Sequence, residues 1–149
     1  MVNYIIITAT AHATEDEDKV LDAMAYFLPD VVGEDDVELE VVETDGYFGN
    51  PINVYKMTIN KKANKVFKHI MDLLKSDERN INKLKKDIDL RIEKNKLYLR
   101  FDKQKAYLGE CKLMDGDDVV RIVINFKVYV SKNKEEKVKE RVLKELGIE

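Results

Sequence analysis

The tightest constraint on the fold is the two-residue alternation of Val119–Val130, VVRIVINFKVYV. Val120, Ile122, Ile124, Phe126, Val128 and Val130 fall on one side. Arg121, Asn125, Lys127 and Tyr129 fall on the other, with Val119 and Val123. A period of two marks a β-strand with one buried face. Other segments read the same way. Tyr4–Ala11 is rich in isoleucine and threonine, and Val37, Leu39 and Val41 alternate with Glu38 and Glu40. Ile52–Asn60 returns after a glycine- and proline-containing loop, which predicts a hairpin. Leu97, Leu99 and Phe101 alternate with Lys96, Tyr98 and Arg100, and Glu110–Met114 reads as a short strand.

Helical patterns separate these strands. Thr14-Glu15-Asp16-Glu17 has capping-box spacing and predicts a helix to about Leu28, before Pro29. Val66, Phe67, Ile70, Leu73 and Leu74 mark the buried face of a helix from Lys61. Ser76 is positioned to cap a second helix, with Ile81, Leu84 and Ile88 inward and Asn95 ending the unit. A last helix is expected over about 134–146, stopped by Gly147. The resulting order is β-α-β-β-α-α-β-β-β-α. Hairpins with grouped helices predict one α+β domain over residues 1–149, a mostly antiparallel sheet with helices on one face. The uncovered face is expected to carry Lys96, Tyr98, Arg100, Arg121, Asn125, Lys127 and Tyr129.

The residue inventory restricts the chemistry. Ser76 and Ser131 are the only serines, His12 and His69 lie far apart, and Cys111 is the single cysteine. Neither a catalytic triad, a zinc site, a P-loop nor a dinucleotide turn is encoded. The acids of Asp115-Gly116-Asp117-Asp118 suit Mg²⁺ in type, and a metal-dependent nuclease would build on Asp115, Asp117 and Asp118. Turns favour the same residues for backbone reasons alone, so a solvated turn is the reading adopted, with no metal and no cofactor. The apolar N-terminus is too short for a membrane span and lacks a basic flank. A lone cysteine suits a reducing compartment, and a cytoplasmic protein is expected.

Charge is divided along the chain. Residues 1–60 hold 2 Lys/Arg against 13 Asp/Glu, a net of −11, and residues 61–149 hold 24 against 16, a net of +8. Such a split points to nucleic acid on the basic part, unless the halves interleave and pair their charges. Cations and aromatics are densest in Tyr98–Glu110, YLRFDKQKAYLGE, which holds Gln104, the one glutamine. Arg100, Lys103 and Lys105 are candidates for phosphate, with Lys61 and Lys62 adding a sequence-independent term. Tyr98 and Tyr107 are candidates for base stacking, with Tyr129 and Tyr47 in reserve. Tyr98 and Tyr129 fit cross-strand packing equally well. His12 either bonds nucleic acid or fixes the corner after the first strand.

Three phrases together resemble a known family. They are AHATEDEDKV at Ala11–Val20, GYFGNPI at Gly46–Ile52 and LYLRFDKQKAYLGE at Leu97–Glu110. They resemble the archaeal RNA-binding-domain family described as a predicted exosome subunit, similar in fold to the large-subunit ribosomal protein that binds 5S rRNA. The resemblance runs from about Val2 to Val130 and implies a curved antiparallel sheet, RNA as ligand and no enzymatic activity. It carries over onto His12, Thr14, Glu15, Gly49, Asn50, Pro51, Arg100, Asp102, Lys103, Gln104, Tyr107 and Gly109. The expectation is a non-catalytic RNA-binding protein in RNA processing, decay or ribosome-related work, with exosome or ribosomal proteins as further partners. Gln104 would read a base edge or a 2′-hydroxyl. The rival reading is a protein-interaction module whose Glu38, Glu40 and Glu43 meet a basic partner. Monomer and homodimer both fit the sequence.

Overall fold

The alternating segments do form strands, and the computed structural model describes residues 1–46, 49–129 and 132–148. In chain order they build β1 (Val2–Ala11), α1 (Glu17–Ala25), β2 (Val37–Asp45), β3 (Pro51–Ile59), α2 (Ala63–Lys75), α3 (Glu78–Asp87), β4 (Ile92–Glu93), β5 (Lys96–Asp102), α4 (Lys103–Tyr107), β6 (Val119–Phe126) and α5 (Lys134–Glu145). The strands make one six-stranded sheet in the order β2-β3-β1-β6-β5-β4, every pair antiparallel. This is the α+β architecture expected.

One face of the sheet is the core. Ile5, Ile7, Ile59, Leu97, Phe101, Ile122 and Ile124 are fully buried there, beneath Met24, Phe27, Phe67, Ile70 and Leu74 of the helices. Phe27 lies against Phe101 with ring centroids 4.6 Å apart, and Phe67 meets Phe126 edge-on at 5.2 Å. Each such side chain contributes about 1.5–3 kcal/mol by leaving water. The other face carries the alternate residues, which are half-buried or exposed along most of its length.

Several boundaries differ from expectation, each for a local reason. Asp16 rather than Thr14 caps α1, accepting from the Asp18 N–H at 2.9 Å. Glu17, the other half of the expected capping box, is taken by the side-chain amide of Asn53. Asp77 rather than Ser76 caps α3, accepting from the Arg79 N–H at 2.9 Å, while the Ser76 hydroxyl donates to the Leu73 carbonyl. The last strand ends at Phe126, opposite Val2 at the start of β1 and one residue past the Lys96–Asn125 pair that opens β5; one further bond, from the Lys127 N–H to the Met1 carbonyl at 2.8 Å, follows it. Val130 lies outside the described residues. Glu110–Met114 is not a full strand. It follows β5 through the Asp102 N–H to Lys112 carbonyl and Met114 N–H to Arg100 carbonyl bonds, with Leu113 bridging Phe101.

The largest difference falls in the phrase FDKQKAYLGE, where a charged corner is expected and a helical turn stands. The Asp102 carboxylate caps α4 by accepting from the Lys105 N–H at 2.9 Å. Gly109, at φ +81°, closes it. The Glu110 N–H reaches back to the Lys105 carbonyl at 2.8 Å and the Gly109 N–H to Ala106 at 3.0 Å. That bonding is a Schellman ending, which needs a left-handed residue. The glycine of the phrase is explained by backbone geometry.

Candidate nucleic-acid interface

Strand register, not sequence proximity, assembles the uncovered face. Arg100 on β5 stands opposite Arg121 on β6, Arg121 opposite Thr8 on β1, and Thr8 opposite Lys56 on β3. With strands about 4.8 Å apart, these residues form one row across four strands. The next row holds Tyr98, Val123, Ile6 and Thr58. Like charges directly opposite each other destabilise a sheet, so the Arg100–Arg121 pair carries a cost. The Arg100 Nη1 donates to the Gly116 carbonyl at 3.0 Å, and Arg121 Nη2 lies 3.7 Å from the Asp117 carboxylate, which is fully exposed. Both guanidiniums keep further donors free for a ligand.

A cleft of about 390 Å³ opens beside Tyr98 and Arg100, walled by Asp87, Leu90, Arg91 and Asp115. Leu90 is 89% exposed and Tyr98 is 39% exposed, so the cleft offers an apolar edge and an aromatic ring. Its acids are compensated. Arg91 holds Asp87 in a two-pronged pair with bonds of 2.8 and 2.9 Å, and Lys83 reaches Asp115 at 2.9 Å. The Lys83 hydrogen bond lowers the Asp115 pKa, and Asp115 raises that of Lys83 in return.

The expected site residues separate. Tyr98 and Arg100 are on the open face as read. Lys103 is not at the surface; it is 3% exposed, and this corrects its assignment to phosphate. Its ammonium donates to the Thr10 carbonyl at 2.9 Å and pairs with Glu15 at 2.9 Å and Asp118 at 2.7 Å. An ammonium has three protons, and these three acceptors use them. Lys103 pins the end of β1, the turn before α1 and the turn before β6. His12 is exposed at the same corner, and its backbone N–H donates to Glu15 at 3.1 Å. One ligand atom each from His12, Glu15 and Asp118 lies within 4.8 Å of the others. The Lys103 ammonium already supplies the cation for both carboxylates.

Gln104, Lys105 and Tyr107 project from α4, which packs on α1 at the helical side. Gln104 is exposed, Lys105 pairs with Glu110 at 3.4 Å, and Tyr107 sits beneath Lys19 Nζ at 5.4 Å. Lys61 and Lys62 stand at the β3–α2 corner. Lys61 is exposed, but Lys62 is engaged, donating to the Val31 carbonyl and Asp36 at 2.8 Å each. Asn50 shapes its hairpin, its carbonyl accepting from the Gly46 N–H at 2.6 Å. Tyr47 lies outside the described residues. Asn125, expected on the open face, faces that way but is closed off. It accepts from Asn3 at 2.8 Å and Asn95 at 3.3 Å and donates to the Tyr4 hydroxyl at 3.1 Å.

The acids proposed for a nuclease diverge. Asp115 turns to Lys83, Asp117 to Arg121 and Asp118 to Lys103. Sequence reasoning missed Lys56 and the centrality of Arg121. Lys56 is one of two cations in the first 60 residues, but only the β1–β3–β6 register brings it into line with them.

A solved structure carries the same architecture, and sequence relatives extend the comparison. The pattern defining the family described as RNA binding matches residues 4–126. An uncharacterised protein of Methanocaldococcus jannaschii is 62% identical over 148 residues, 99% of each chain. An RNA-binding protein of Pyrococcus abyssi is 42% identical over 132 residues, 86% of this chain and 84% of that one. A crystal structure from Archaeoglobus fulgidus superposes with a TM-score of 0.77 at 29% identity, covering 97% of this chain and 99% of the other. The chain belongs to the RNA-binding family.

Proposed function

We propose that this protein binds RNA on the open face of its sheet, without catalysis, and serves RNA processing, exosome-linked decay or ribosome-related work. The observation that carries the reading is the Arg100–Arg121 pair, two cations held directly opposite on a face that no helix covers among the described residues. A polyanion lying along the row through Arg121 to Lys56 relieves that repulsion and releases counterions. Tyr98 stacks a base at the mouth of the adjoining cleft, where Leu90 and Arg91 complete the walls. Membership of the family and the name of the Pyrococcus abyssi relative support RNA as the ligand. Gln104, Lys105, Tyr107, His12, Asn50, Lys61 and Lys62 stand apart from this surface and are not needed for it.

Anisotropy of labelled RNA, single-stranded and hairpin, across a salt series tests this. Affinity falls as salt rises, and the logarithmic slope shrinks by about 0.7–0.9 for each phosphate-binding cation removed. No binding at low salt, or binding indifferent to Arg100→Ala and Arg121→Ala, overturns the reading. Crosslinking in cell extract followed by sequencing of the bound RNA separates processing from ribosomal targets.

A further inference from the structure

We propose that the groove between α1 and the β2–β3 hairpin receives a basic amphipathic helix of a partner protein. The helical layer stops short of β2. Leu39 and Val41 point to the helix side of the sheet, paired with Met57 and Tyr55 of β3. On β3 those partners are 8% and 4% exposed, whereas Leu39 and Val41 are 48% and 52% exposed. The groove between Leu39 and α1 has a volume of about 440 Å³ and is floored by Leu21, Leu28, Val32, Val37, Leu39 and Met57, with Val41 continuing the apolar strip along β2 just beyond it. Among the described residues its only charged lining residues are Asp22 and Glu34. Glu43 follows Val41 on the same side of β2, and among the described residues Asp22, Glu34 and Glu43 form no ion pair. The site is therefore an apolar lane with unpaired acidic rims.

Charge selects the occupant. RNA is repelled by these rims. A second copy paired along β2 would bring Glu38, Glu40, Glu43 and Asp45 of each chain together, the kind of charged edge that prevents strand addition. A partner helix with an apolar stripe at i, i+3, i+4 and i+7 fits beside α1 and completes the layer. Lysines or arginines flanking that stripe meet Asp22 and Glu34 on one side and Glu43 on the other. This site lies on the opposite face of the sheet from Arg100 and Arg121 and stands or falls separately from RNA binding.

The test uses the full chain and a fluorescent peptide of leucine and lysine arranged at helical period, with a control of identical composition arranged at period two. The helical peptide binds, and the control binds at least about tenfold more weakly, since only the first buries a continuous stripe. Leu39→Gln with Val41→Gln lowers affinity about tenfold or more. Both residues are exposed, and an unchanged melting temperature confirms that the variant is folded. Asp22→Asn with Glu34→Gln weakens binding and flattens its salt dependence, while Arg100→Ala with Arg121→Ala leaves it unchanged. Equal binding of the two peptides, or no loss in the Leu39/Val41 variant, overturns the proposal. So does sedimentation showing a dimer that Leu39→Gln dissociates, which makes a second copy the occupant. Loss of RNA binding in that same variant makes RNA the occupant and likewise overturns it.

Discussion

The two ends of the sheet carry opposite charge on the same backbone geometry. At one end β5 and β6 set Lys96, Arg100 and Arg121 on the open face; at the other β2 sets Glu38 and Glu40 there. The division between the halves of the sequence survives folding at the edges and blurs in the middle, where acidic-half β1 lies against basic-half β6. Lys56 is the exception that extends the basic row, with Glu40 as its cross-strand neighbour on β2. The contrast teaches that one sheet can present two surfaces of opposite charge, with the border at β3. The β2 end also lacks a helical cover, so its apolar residues are exposed while those of the central strands are not.

The largest effect expected is from reversing the basic end. Arg100→Glu with Arg121→Glu lowers RNA affinity by about 3 kcal/mol or more, from two charge-assisted contacts at about 1.5–3 kcal/mol each. Glu38→Lys with Glu40→Lys leaves affinity unchanged or raises it; anisotropy reads both. Lys103→Met separates a buried cation from exposed ones. It removes the partner of Glu15 and Asp118 and costs on the order of 2–4 kcal/mol of stability, below the loss for a fully buried pair because Asp118 is partly in water. RNA affinity of the folded variant is unaffected, as thermal melts and binding below the melting temperature show.

Smaller effects sharpen the border. Tyr98→Ala weakens RNA binding by about 1–3 kcal/mol if one base stacks there, and Tyr98→Phe retains most of it. Arg121→Gln weakens RNA binding yet raises stability by about 0.2–1 kcal/mol, because it relieves a like-charge cross-strand pair; a denaturant midpoint measures the gain. The smallest concerns pH. Lys83 holds the Asp115 carboxyl below its usual range. A depressed folded-state pKa stabilises the fold above the unfolded value, and that support is lost as pH falls through the folded value. The Asp115 carboxyl signal in NMR therefore titrates below about 3.9, and Lys83→Met returns it toward that value.

Much of the fold was legible because strand alternation is a local signal. Ile122, Ile124, Leu97 and Phe101 are core residues from their spacing alone, and the structure buries them all. The α4 turn was not legible, because five residues hold too little periodicity to reveal a helix and its cap and glycine ending resemble a loop. The placement of the candidate residues was half legible. Tyr98 and Arg100 follow from alternation on β5, but Lys103 lies just past the strand, where the helical turn aims it inward at three oxygens from distant segments. Lys56 and Arg121 join the row through register between strands far apart in sequence, which a single chain does not encode locally.

The most direct measurement is residue-resolved NMR perturbation of the full chain on titration with a short RNA. Shifts are expected to centre on Tyr98, Arg100, Arg121, Thr8 and Lys56, with Val37–Val41 and Gln104–Tyr107 unmoved. Perturbation centred on α4 or on β2, with the Arg100–Arg121 row silent, would contradict it.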